Sequence, residues 1–265
     1  SISGNFPDNT LNIVLKGTNT VTTTNEAKHP VVPVYTSVGI NVSPGVNINM
    51  MAEEGATLEI NALGIGILIN DGDLTVNSVG LLRVNNATTG INVGASGNCS
   101  ITNSNIDIPN VGGGALNVFG DLTIDNSIFT APNYGNTAIS AIGMLNILNN
   151  SKITANGAAY AVLGSNSIEI KDGSSVVVDS GNIAIYSPNT VSVSDSTVSA
   201  TSPVNMDSIK GNASTLISGS WIESHGGVLN ANANISNSVT FQDNAGTVVG
   251  EANLLENREI SADMT

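Results

Sequence analysis

Trp221 and Glu223 set an indole and a carboxylate two residues apart, on either side of Ile222. In an extended chain both side chains project from one surface. An outward indole presents a broad apolar face to the C–H side of a sugar ring, and a neighbouring carboxylate accepts hydrogen bonds from its hydroxyls. Trp221 and Glu223 are therefore the leading candidates for binding a glycan, and Tyr186 is a third. Two pairs of aspartates are candidates for holding a cation. Asp172 and Asp195 lie 23 residues apart, and Asp71 and Asp73 flank Gly72. Neighbouring carboxylates either raise the pKa of one partner or attract a hard cation such as calcium. The competing reading is that each Asp bonds the backbone of its own turn.

Residues for catalysis on polysaccharides are sparse. A lyase needs a basic group to take the proton alpha to a carboxylate, commonly beside acid-bound calcium. The basic residues are Arg83, Arg258, Lys16, Lys28, Lys152, Lys171 and Lys210, and none sits in a tight carboxylate cluster along the sequence. A hydrolase needs converging carboxylates, and no Asp-Asp pair occurs. His225 and His29 read as turn and loop residues. No catalytic residue is assigned, and the expectation is a protein that is not an enzyme. With seven Lys and Arg and a net charge of −14, the chain lacks the basic footprint of a nucleic-acid or anionic-membrane partner. The lone Cys99 excludes an internal disulfide framework. No apolar run reaches transmembrane length, and the opening Ser1-Ile2-Ser3-Gly4 is not a signal peptide.

The elements that must position these residues follow from a repeat. The pattern apolar-x-apolar-x-Asn/Asp-Ser places its second apolar residue at Ile101, Ile124, Ile147, Ile170 and Val193, each step 23 residues. It continues to Ile217 and Ile235, and backwards to Val76 and Ile48. Two residues earlier runs the column Cys99, Leu122, Leu145, Ile168, Val191. Eight earlier runs Val93, Leu116, Ile139, Val162, Ile185. A third column holds Ile106, Phe129, Ile153, Val176, Val198 and Ile222. Apolar and polar residues alternate within each piece, which is the period of a strand.

About three short strands per repeat cannot bury an apolar face alone, but stacked coils can. The predicted fold is all-β, a single-stranded right-handed parallel β-helix of about 23 residues per coil, in one domain over residues 1–265. The right hand follows from the rule for parallel crossovers. Residues 1–37 form a first coil and a loop, 38–241 the regular coils, and 242–265 a C-terminal cap. Aromatics at 3% and aliphatics at high frequency make this an aliphatic core. Past each anchor, Asn103, Asn126, Asn149, Asp172, Asp195 and Asn237 form a turn ladder, with Gly219 in the same slot. These residue types accept the left-handed backbone of a sharp corner.

On that frame Asp172 and Asp195 share one corner in successive coils. Trp221 falls in a column with Asn105, Lys152 and Thr197 and faces outward, as does Tyr186 beside Asn117 and Ser140. Tyr160 is placed inward. Cys99 shares a column with Leu122 and Leu145 and is buried.

The strings Gly72-Asp73-Leu74-Thr75-Val76 and Gly120-Asp121-Leu122-Thr123-Ile124, with Ile13-Val14-Leu15-Lys16-Gly17-Thr18-Asn19-Thr20-Val21 and Gly64-Ile65-Gly66-Ile67, resemble those of bacterial cell-surface β-helix proteins of the carbohydrate-binding or pectate-lyase-like adhesin type. The resemblance spans roughly residues 11–240. It implies a secreted or cell-surface location, binding of polysaccharide including acidic plant polymers, and calcium in some members. The leading expectation is a non-enzymatic polysaccharide-binding or adhesive module. The alternatives are a lyase or hydrolase of acidic polysaccharide, and a structural stalk that binds a protein.

Overall fold

The computed structural model describes residues 9–23, 37–230 and 232–242. The predicted loop around His29 and the predicted cap beyond Gln242 lie outside the described residues. Among the described residues every regular element is a β-strand and every strand pairs in parallel with its copy in a neighbouring coil, typically about 24 residues away. The chain is a β-helix whose coils carry three strands each.

One coil shows how the sequence drives the path. Leu122–Asp125 lies in the first face, with Leu122 and Ile124 inward. The backbone turns at Asn126, and Ile128–Ala141 then runs the second and third faces as one bent strand. Met144–Leu148 returns to the first face one rung later. Repetition gives a first face of ten strands among the described residues. Its inner column runs Val76, Ile101, Ile124, Ile147, Ile170, Val193, Ile217 and Ile235 in continuous register. The second-face column of Ile106, Phe129, Ile153, Val176, Val198 and Ile222 is likewise unbroken.

Two columns differ from the sequence expectation. Val76 pairs with Met50, and Ile48 belongs one inward position earlier, opposite Leu74. Leu116 pairs with Ile91, and Val93 pairs with Val118. Both slips are by two residues. A two-residue slip leaves side chains on the same face, so apolarity alone does not distinguish the registers. Coil length decides them, and the early coils are longer than those of the regular stretch.

The bend between the second and third faces breaks alternation. Two consecutive residues point inward there, as in Ala138-Ile139, Ala161-Val162 and Ala184-Ile185, all essentially fully buried. The first of each pair has little room and is small: Gly39, Gly66, Gly90, Ala115, Ala138, Ala161, Ala184 and Ser208. At Gly66 a Cβ would collide with a methyl of Val84 and with the carbonyl of Gly90. The bend thus trades side-chain volume for close approach of neighbouring backbones.

The opposite corner uses the predicted turn ladder. Asn103, Asn126, Asn149, Asp172, Asp195 and Asn237 all have φ between 44° and 60°, and Gly219 has 57°. Asn126 Nδ2 donates to Asn103 Oδ1 at 2.7 Å, whereas Asn149 Nδ2 turns to Asp125 Oδ1 at 2.8 Å. Behind the corner runs a buried serine column: Ser104, Ser127, Ser151, Ser174, Ser196, Ser220 and Ser238. Ser104 N–H donates to Ser127 Oγ at 3.0 Å, and Ser127 Oγ donates to the Asp125 carbonyl at 2.7 Å. The same pattern recurs at Ser220 and Ser238. The hydroxyls of Ser104, Ser127, Ser151, Ser220 and Ser238 thus close their own turns and satisfy an amide of the preceding coil, which a buried backbone group requires, while those of Ser174 and Ser196 close their turns.

Candidate functional site

The strand Trp221–His225 lies in the second face with Ile222 and Ser224 buried and Trp221, Glu223 and His225 half-exposed. Alternation therefore delivers Trp221 and Glu223 to one outer surface, as the sequence predicts; His225, expected in a turn, is instead the last residue of the same strand and joins them. Trp221 Nε1 donates to Glu223 Oε1 at 2.9 Å, and His225 Nε2 lies 3.4 Å from Glu223 Oε2. Glu223 is held below its ordinary pKa, chiefly by the indole N–H and also by His225 and Ser199, against the opposing effect of burial. On the next rung Phe241, opposite Glu223, brings its ring to 4.8 Å from the Trp221 ring at a 45° tilt. With its N–H satisfied internally and one side backed by Phe241, Trp221 offers an apolar ring in a fixed orientation.

Phe241 was not singled out in the sequence. It follows Trp221 by 20 residues instead of 23. The last described coil is short, with Thr215 pairing to Ala233 only 18 positions on, so a strict period does not bring the two rings together.

Tyr186 also faces outward, but on the third face, where Ile185 and Ser187 on either side of it are buried. Its ring lies 5.2 Å from that of Tyr160 with a 17° interplanar angle. Tyr160 is half-buried and joins this stack, so its expected inward placement is not what the structure shows. The phase of alternation resets at the bend, where Ala161 and Val162 are both inward. Asn212 Nδ2 donates to the Tyr186 hydroxyl at 2.9 Å. Lys210 stands on the next rung opposite Tyr186 and pairs with Asp207 at 2.8 Å. The hydrogen bond and charge of Asp207 raise the Lys210 pKa above its ordinary value, with burial opposing. Trp221 with Glu223 and Tyr186 are thus parts of two separate surfaces.

Two of the aspartates, Asp73 and Asp121, bind the stack together through their side chains. Asp73 Oδ1 accepts Asn98 N–H at 2.8 Å, Asn98 Oδ1 accepts Asp121 N–H at 2.8 Å, and Asp121 Oδ1 accepts Met144 N–H at 2.7 Å. Asn47 Oδ1 begins the series by accepting Asp73 N–H at 2.8 Å. Each side chain receives the amide of the residue at the same position of the next coil. This gives the Asp of both Gly-Asp-Leu-Thr strings a structural role. The order Asn, Asp, Asn, Asp keeps the carboxylates two rungs apart. The carbonyl of Asp71 accepts the N–H of Gly45. Asp172 and Asp195 do occupy one corner in successive coils, where the Asp195 carbonyl accepts Gly173 N–H at 2.8 Å. The Asp195 carboxylate sits over Gly219, in space that a Cβ there would fill. Among the described residues, no three His, Cys, Asp or Glu side chains come together as a metal-binding group.

Arg83 projects from the second face and directs Nε and a terminal nitrogen to Asp107 Oδ2, at 2.9 and 2.6 Å. Cys99 is buried, and desolvation together with the charge of Asp73 pushes its thiol up to about 12. Among the described residues no helix is long and apolar enough to cross a membrane. Comparison of the chain with protein-family models, with curated proteins and with solved structures finds no match.

Proposed function

We propose that this chain is a non-catalytic glycan-binding or adhesive β-helix of the cell surface or extracellular space. The observation that carries the reading is the Trp221 ring, which is half-exposed, oriented by Glu223 and backed by Phe241. In a chain with 3% aromatic residues, two rings held together on an outer strand face form a platform suited to a sugar. Glu223 supplies an acceptor for sugar hydroxyls beside it. A net charge of −14 and a carboxylate within the site favour a neutral polymer over an acidic one. The binding assigned to these rings uses no cation, so calcium chelation leaves retention unchanged in this reading.

The test is retention on insoluble neutral and acidic polysaccharides, with and without EDTA, for the parent chain and for Trp221→Ala. Retention on a neutral polymer that weakens about tenfold in Trp221→Ala supports the proposal, since losing a stacking contact of roughly 1.4 kcal/mol corresponds to that factor. Retention on neither polymer overturns it. Release of soluble sugars on incubation points instead to a lyase or hydrolase.

A further inference from the structure

The Tyr160–Tyr186 stack carries a second inference, which rests on the glycan-binding reading of Trp221. We propose that this stack, with Asp207, Lys210 and Asn212, forms a second pyranose-binding site, so that one molecule bridges two chains of a neutral polysaccharide.

The composition of the site fits a neutral sugar. The two rings, stacked with centroids 5.2 Å apart and 17° between their planes, cover part of each other and brace an apolar wall of ring edges and outer faces. Around it stand a carboxylate acceptor, an ammonium donor and a carboxamide, the groups that pair with vicinal hydroxyls. The Tyr186 hydroxyl receives Asn212 Nδ2 at 2.9 Å, which directs its own proton away from Asn212 and toward a ligand. Lys210 and Asp207 neutralise each other at 2.8 Å, so the site has no net charge to select an anionic polymer.

The fold separates this site from the first. The strand Ile183–Ser187 and the segment Val228–Leu229 are two rungs apart on the third face, through Asp207–Gly211. Val228 follows the Trp221 strand around the bend at Gly226-Gly227. The two aromatic surfaces are therefore offset by about 10 Å along the axis and face outward on different sides of the bend. A stiff, extended glycan lying on one face does not turn that corner within two or three sugar units. Simultaneous occupation thus takes two polymer chains and yields cross-linking.

Beads coated with a neutral polysaccharide that retains the parent protein provide the test. The parent is expected to agglutinate them while remaining monomeric by light scattering. The Tyr160→Ala/Tyr186→Ala pair and the milder Asp207→Asn are expected to stay bound through Trp221 but to lose agglutination at least tenfold. Trp221→Ala is expected to lose agglutination while keeping residual, tyrosine-dependent retention. Undiminished agglutination by the tyrosine variant, with an unchanged melting profile, overturns the second site and leaves the first intact. Complete loss of retention in Trp221→Ala does the same. Retention of no polysaccharide by the parent overturns both.

Discussion

Replacing Asn98 by Asp tests the idea that the alternation of Asn and Asp along the Asn47, Asp73, Asn98, Asp121 column is what allows the column to be charged at all. The substitution keeps an oxygen to accept Asp121 N–H, now at 2.8 Å, and adds no bulk. It places one carboxylate between two others, each one rung away. At about 4.8 Å and the dielectric of water, each like-charge neighbour costs about 0.9 kcal/mol, and two cost about 1.7 kcal/mol. Loss of the Asn98 Nδ2 donation to Asp73 Oδ1, at 3.2 Å, adds roughly 0.5 kcal/mol. The expected deficit is about 2 kcal/mol at low salt, or about 4–8 °C in melting midpoint. Screening at 0.15 M salt roughly halves the Coulomb part.

The pH dependence of that deficit has a definite sign. The introduced carboxylate has a folded-state pKa above its unfolded value, so the penalty is full above the raised pKa. It disappears as pH falls through the carboxylate range, where the group is protonated in both states. Adding Asp121→Asn removes one neighbour and restores about half of the loss. Thermal melts of the three proteins at two salt concentrations and at pH 7 and 4 measure all of this. An Asn98→Asp protein as stable as the parent at pH 7 and low salt, or a deficit indifferent to salt and pH, refutes the argument.

Ser127→Ala should destabilise the coil stack by about 1–3 kcal/mol, because the buried Ser104 N–H loses its acceptor; chemical denaturation would report it. Burial pushes the Cys99 thiol up to about 12, so at pH 8 it should resist a thiol reagent in the folded protein and react at once in denaturant; rapid labelling without denaturant would contradict this. Glu223 is depressed below its ordinary pKa by Trp221, so its contribution to holding the indole is present above the ordinary value and lost as pH falls through the depressed one. Trp221 emission is expected to shift on acidification in the parent and to lose that transition in Glu223→Gln.

Much of the molecule was readable from residue types because a β-helix repeats one local solution many times. Where coils hold a constant 23 residues, from Cys99 to Val191, each aliphatic column in the sequence is a column in space. The Asn/Asp positions were legible for a local reason: a left-handed corner accepts few residue types, and the demand travels with the sequence. The misplaced partners of Val76 and Leu116 fall where coil lengths change, and there a shift of two residues keeps every side chain on its face.

The sequence by itself therefore determined the coil, its aliphatic lining, its corner residues and the outward pointing of Trp221 and Tyr186. Each of these is set within a few residues by alternation or backbone preference. The tertiary structure alone decided which side chains meet across rungs: Phe241 against Trp221, Tyr160 against Tyr186, and Asp73 on Asn98. Those contacts depend on the length of each coil and on the bend where two successive residues turn inward. Both are properties of the closed, stacked backbone that no single repeat contains.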